Sequence, residues 1–239
     1  GTSQLDNILK ARNNYVEQKN LQYNNSMNYL FQPSSKVQFS FSADWTHFDG
    51  KAKCEQPNEY YSVDNTPLRS DFFYSEPDKD IDIYALLSDF KFTPNAQNEI
   101  LAGIKTTLIK SDNTFIFKKN GDIDTQRSNS FCYKEKNLEA YAQYTYTWDK
   151  LELSAGLRME YMYTYNKLNS QTSQDAETNS QNHFRLFPNL SASYTINDKN
   201  KIALLYSRRQ DKPRYEDLNP FEYLLDELSY WKGNPFLKP

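Results

Sequence analysis

The side chains most used for nucleophilic and metal chemistry are scarce in this chain. It holds two histidines, His47 and His183, and two cysteines, Cys54 and Cys132. None has the spacing of CxxC, HExxH or an EF-hand loop, so neither a zinc nor a calcium site is expected. No GxSxG and no glycine-rich phosphate loop is present, and six glycines could hardly build one. Carboxylates gather at Asp78, Asp80 and Asp82, at Asp211, Glu216 and Asp217, and at Asp226 and Glu227. A glycosidase needs two carboxyls facing each other across a cleft; here they read as solvated loop ends. The expectation is therefore no catalytic residue, no cofactor and no metal, and a protein that is not an enzyme. The aromatic-rich terminal stretch is more informative, with Tyr215, Phe221, Tyr223, Tyr230, Trp231 and Phe236. Such rings either stack on a sugar or chelate or pack the loop against its own scaffold. Tyr215, Tyr223, Tyr230 and Trp231 are the candidate ligand contacts.

What positions these residues follows from composition and pattern. The chain has 239 residues, 28 basic and 31 acidic, and a formal charge of −3. That length suits one large domain or two small ones. The balance lacks the basic excess of a nucleic-acid binder. No run approaches the ~20 apolar residues of a membrane-spanning helix, but a membrane β-barrel alternates apolar and polar residues and needs no such run. Nineteen Tyr and fifteen Phe favour strands.

Period-two alternation recurs along the chain. In 151–165, Leu151, Leu153, Ala155, Leu157, Met159, Tyr161, Tyr163 and Tyr165 oppose Glu152, Ser154, Gly156, Arg158, Glu160, Met162 and Thr164. In 36–48, Val37, Phe39, Phe41, Ala43 and Trp45 oppose Lys36, Gln38, Ser40, Ser42 and Asp44. Segments 139–148, 186–196 and 19–31 repeat the pattern, and 79–92, 98–110 and 200–209 show it more weakly. About eight strands, mostly 10 to 15 residues long, exceed the usual globular length of ~5–6. Residues 1–15 are open between a helical turn and a further strand. Tight turns at Gln32–Ser35, Thr93–Gln97, Trp148–Lys150 and Asn197–Lys199 alternate with long polar connections near 49–78, 111–136, 167–183 and 210–239. Short turns at one end and long loops at the other are the pattern of an outer-membrane barrel.

Two stretches carry a family resemblance. One runs from Phe131-Cys132-Tyr133-Lys134 through Trp148 to Gly156-Leu157-Arg158-Met159-Glu160. The other is Phe187-Pro188-Asn189-Leu190-Ser191, then Tyr206-Ser207-Arg208-Arg209, Pro213-Arg214-Tyr215, Asp217-Leu218-Asn219-Pro220-Phe221 and Gly233-Asn234-Pro235. Together they resemble the barrel of TonB-dependent receptors of the Bacteroidetes type, over 131–239 and more loosely over 19–110. The resemblance implies a Gram-negative outer-membrane barrel that imports a scarce nutrient, a glycan, a siderophore or similar, with energy from the TonB complex. A non-transporting surface binding or adhesion protein is the alternative. A plug, a TonB box and barrel-closing strands are not recognisable, so 1–239 is expected to be a fragment of one barrel domain, with TonB acting through an absent N-terminal region.

The expected fold is an all-β antiparallel up-and-down meander, a partial transmembrane barrel. Outer-membrane lipid should cover the apolar sets, and Arg158 and Glu160 should line the other side. Tyr144, Tyr146 and Trp148 at one end, with Tyr161, Tyr163 and Tyr165 at the other, match two aromatic girdles. His47 reads as a boundary residue at the membrane interface. Cys54 and Cys132 fall in external connections on the same side of the sheet, and a disulfide and two free thiols both stay open. Strand 200–209 should end as an open edge, covered by curling, by pairing with another copy or by the terminal loop.

Overall fold

Alternating aromatic and polar residues with two-residue turns build one long antiparallel sheet. The computed structural model describes residues 7–170, 176–224, 229–234 and 237. Strands β1 (Asn7–Ala11) and β2 (Asn14–Ser34) share one edge of β3 (Val37–Ser62). The order then follows the chain through β4 (Pro67–Asn95), β5 (Asn98–Lys119), β7 (Asn129–Trp148), β8 (Leu151–Ser170), β9 (Glu177–Asn197) and β10 (Asn200–Ser207). A two-residue strand, β6 (Asp122–Ile123), pairs with β5. After β10 come one helical turn, α1 (Tyr215–Leu218), and a small separate pair, β11 (Tyr223–Leu224) and β12 (Tyr230–Trp231).

All four tight turns are two-residue hairpins, closed by the pairs Ser34↔Val37, Asn95↔Asn98, Trp148↔Leu151 and Asn197↔Asn200. Asp149 takes a left-handed φ of 48° there, a conformation that Asp and Asn tolerate best after glycine. The long connections lie at the opposite end, as expected, but most of their length is strand rather than loop. β3 and β4 continue to Ser62 and from Pro67, β5 continues to Lys119, β7 starts at Asn129, and β8 and β9 reach Ser170 and Glu177. Residues 171–175 lie outside the described residues. Strands therefore run from 20 to 29 residues in β2–β5 and β7–β9. At the far tips tight turns close them: Asn65 has φ 63°, and Asn120-Gly121 has φ 53° and 93°, the two positive values of a primed hairpin turn. Of the N-terminal residues, Asn7–Ala11 form a strand; residues 1–6 are not described.

The register fixes which residues share a face. The chain of partners Phe41↔Ser88↔Ile104↔Ala140↔Met159↔Leu186 runs directly across the sheet. Phe39↔Phe90↔Ala102↔Ala142↔Leu157↔Pro188 runs beside it. The apolar sets of 36–48, 139–148, 151–165 and 186–196 thus lie together on one side, the outer face. Large side chains there stay open to solvent, Leu157 at 43% and Ile104 at 57%. From Leu138 to Trp148 a strand rises about 34 Å, and a tilt of about 40° makes that a band about 26 Å tall, the height of a barrel's apolar belt. The opposite, inner face carries Arg158 and Glu160.

Above the row Trp45–Tyr84–Leu108 the pattern changes phase, and in β5 and β7 it does so without a bulge. In β5 the apolar residues below are even, Ile100, Ala102, Ile104 and Leu108; above Ser111 the buried residues are odd, Asn113, Phe115 and Phe117. β7 does the same, with Leu138 and Ala140 below but Phe131 and Tyr133 above. Inside lipid the outer face must be apolar; beyond it the outer face meets water and the inner face packs. The sheet does not close: β10 pairs with β9 alone and β2 with β3 alone among the described residues. All eight residues of β10 are exposed. The terminal segment does not run along that edge; it crosses the inner face at β5 and β7.

Candidate ligand-binding face

The inner face of the far tips is where the chain makes its core. Phe73, Phe115, Phe117, Phe131 and Tyr133 from β4, β5 and β7 bury against Leu218 and Phe221 of the terminal segment. Phe221 is 1% exposed, stacked 5.6 Å from Phe115 and edge-on at 6.4 Å from Phe131. Burial of such rings is the main free energy holding the segment in place. Tyr223 meets Phe115 edge-on at 5.2 Å and Trp231 at 5.9 Å.

The two terminal motifs lock one another. Gly233 N–H donates to the Asn219 carbonyl at 2.8 Å and Asn234 N–H to the Asp217 carbonyl at 2.7 Å. A Cβ at Gly233 would stand 2.4 Å from the Asn219 oxygen, so only glycine allows this approach. Asn219 Oδ1 accepts from the Phe221 N–H at 3.1 Å, which sets the turn that delivers the ring. Lower on the face, Glu160 is 3% exposed with Lys212 of the terminal segment at 3.0 Å and Arg185 at 4.0 Å. Arg158 pairs with Glu139 at 3.0 Å and lies over the Phe187 ring at 4.6 Å.

Among the candidate contacts, Tyr223 and Trp231 come together, half-buried and 40% exposed respectively. Tyr230 alternates to the other side of β12 and is 56% exposed. Tyr215 sits in α1, and its side chain is outside the described residues. Phe236, Asp226 and Glu227 are outside them as well. Sequence reading missed Phe73, Phe115, Phe117 and Phe131 as site-builders. Their signal was the alternation Asn113-Thr114-Phe115-Ile116-Phe117, in the phase opposite to the strand below.

The cysteines are separated. Cys54 pairs with Tyr15 and Ser75 on the inner face, whereas Cys132 pairs with Asp112 and Lys167 on the outer face. Both are free. With β4 and β5 between their strands, at roughly 4.8 Å per strand step, no disulfide can span them. The expectation that they share a side is corrected: each lies on a strand extension, where period two sends side chains to opposite faces. Burial pushes the Cys54 thiol up, keeping it neutral.

His47 ends the outer apolar face, as a boundary residue should. Its Nδ1 lies 3.0 Å from Asp82 Oδ1, which also accepts from Trp45 Nε1 at 3.1 Å. His47, Asp80 and Asp82 bring ligand atoms within 4.8 Å of one another and are the residues that could hold a metal ion among those described.

A sheet with an apolar belt, short turns at one end and a packed interior at the other has counterparts among known proteins. The sequence pattern of the outer membrane protein β-barrel family matches residues 30–239. The chain belongs to that family. Its place is the bacterial outer membrane, with the belt against lipid. No helix among the described residues is long and apolar enough to cross a membrane. No curated protein matches the chain. Among solved structures, the ferric citrate transporter FecA in its unliganded form is similar at 14% identity and a TM-score of 0.50, over 76% of this chain and 26% of FecA. The ferric yersiniabactin uptake receptor FyuA from Yersinia pestis matches at 13% and 0.44, over 71% of this chain and 28% of FyuA. The copper transporter OprC matches at 10% and 0.46, over 82% and 38%. The likeness to FecA shows the fold of the family. The chain spans between about a quarter and two fifths of the length of these structures.

Proposed function

We propose that the chain is part of the barrel wall of a TonB-dependent receptor that imports a scarce nutrient across the outer membrane. The observation that carries this reading is the inner face: polar through the belt, then aromatic above it and crossed there by a segment of the same chain. A barrel that only anchored a surface loop would have no use for an interior contact surface at the external end. The unpaired edges of β2 and β10 support a larger barrel, completed by strands beyond this sheet. Lipid is the partner of the belt, and the TonB complex would engage a part of the protein other than this wall. The reading assigns no catalytic group and no cofactor.

Deleting the gene in its host and growing the cells on ferric chelates, cobalamin or oligosaccharides tests this. The expected result is loss of growth on one nutrient class, reproduced in the parent strain by a protonophore. Unchanged growth on all of them, with lost attachment to surfaces, would instead support the non-transporting adhesion protein.

A further inference from the structure

The outer face of β7, β8 and β9 carries charge of one sign. Among the described residues it presents Lys134, Lys136 and Lys167 and no carboxylate. All three lysines sit together just above the apolar belt. Lys136 is the first outward residue above Leu138, between Leu108 and Tyr163. Lys134 is one step higher, between Lys110 and Tyr165, and Lys167 is one step higher again, opposite Cys132.

This arrangement works against the sheet on its own. Lys110 and Lys134 are direct cross-strand partners, with Cβ atoms roughly 4.5–5.5 Å apart, where like charges repel. Lys136 adds a third charge two residues along the same strand. The nearby acids are on β4 and β5 and are already engaged: Asp112 holds Lys110 at 2.6 Å, and Asp82 meets His47 and Trp45. Lys134 and Lys136 are exposed and make no ion pair among the described residues. Hydroxyl groups border them, from Tyr163 and Tyr165 on β8 and from Ser180, opposite Tyr165, on β9. Ammonium groups flanked by hydroxyls suit an anion with several acceptor oxygens, such as a phosphate. Height decides where that phosphate comes from. Leu138 and Tyr161 pair directly below on the same face, so lipid chains that cover the belt end at these lysines. The long-strand end of a barrel wall faces outward, which makes this the headgroup level of the external leaflet.

We propose that Lys134, Lys136 and Lys167 bind a phosphate of an external-leaflet glycolipid of the lipopolysaccharide kind, whose acyl chains lie on the belt below. The proposal stands on the membrane placement and does not depend on what the barrel carries. The test is a fluorescence titration of the complete protein, purified in uncharged detergent, with acyl-labelled diphosphoryl lipid A. The same lipid stripped of its phosphates and inorganic pyrophosphate are the comparisons. Diphosphoryl lipid A should bind, and more weakly as salt rises. Lys134→Gln and Lys136→Gln should each weaken binding about fivefold, the equivalent of about 1 kcal/mol for a lysine near a charged membrane surface. The phosphate-free lipid should bind about a hundredfold more weakly, the product of three such steps. Lys199→Gln, in the short turn at the opposite end, should leave binding unchanged, and all variants should keep the heat-dependent gel shift of a folded barrel. Equal binding of the phosphate-free lipid overturns the proposal. So does displacement of the lipid by an equal concentration of pyrophosphate, or binding that Lys134→Gln and Lys136→Gln alter no more than Lys199→Gln.

Discussion

Phe221 and Asp71 do different work on the same inner face. Phe221 fills the space between Phe115 and Phe131, and cutting such a buried ring to alanine costs about 3–5 kcal/mol. The rest of the segment meets the sheet through Leu218, the edge of Tyr223 on Phe115 and ion pairs such as Lys212–Glu160. Phe221→Ala should therefore release it, and trypsin should cleave after Arg209 and Arg214 much faster than in the parent. Unchanged cleavage would mean that the ring is not the anchor. Asp71, at the tip of β4, accepts from Asn120 Nδ2 at 3.0 Å, and this bond together with Lys119 and Arg69 holds its carboxyl below the usual range. A lowered carboxylate stabilises the folded state above its unfolded value, near 4, and that stabilisation is lost as pH falls through the folded value. Amide protection at the tip, around Phe72 and Asn120, should drop between pH 5 and pH 2, and Asp71→Asn should flatten the drop. Residues like these were partly legible. The Asn219 and Gly233 motifs stood out in the sequence, but their mutual contact is a feature of distance in space and left no mark in spacing.

At the scale of the strand, alternation was readable wherever lipid demands it. Within the belt the outward residues are apolar or aromatic apart from Asn25, Ser88 and Thr106, so 36–48 and 151–165 declared both their type and their facing. Beyond it the outward residues include Asp49, Asp80, Asp112 and Lys134, and the hydrophobic signature passes to the opposite phase, in Phe115, Phe117, Phe131 and Tyr133. That is why 49–78 and 111–136 looked like loops. The facing has a direct energetic consequence. Leu157→Arg puts a charge on the belt and should cost about 2–4 kcal/mol at mid-depth, whereas Gln143→Arg, paired to the neighbouring Gly156 on the inner face, should cost little. The folded fraction of each variant in lipid vesicles, read by the heat-dependent gel shift, checks this. Equal losses at the two positions would contradict the assignment.

For the whole molecule, the central claim is one sheet with lipid outside up to the row Trp45–Tyr84–Leu108 and a packed interior above it. Both the short-turn end and the aromatic girdles follow from it, as does the inward turn of the terminal segment. Among the described residues β2 and β10 each leave one edge unpaired, and no pattern within these residues encodes what those edges meet. The facing, in contrast, is testable along a single strand. A nitroxide scan of β5 in the complete protein, with Cys54 and Cys132 changed to Ser and the protein in lipid vesicles, reads it through collisions with oxygen and with a water-soluble nickel chelate. Oxygen contact should peak at Ile100, Ala102, Ile104, Thr106 and Leu108, and at none of the positions between them. From Ser111 onward the oxygen peaks should end, with the even positions open to nickel and Asn113, Phe115 and Phe117 shielded from both. An oxygen peak at Phe115 or Phe117, or an unbroken even-numbered oxygen pattern through Ile116, would contradict the account.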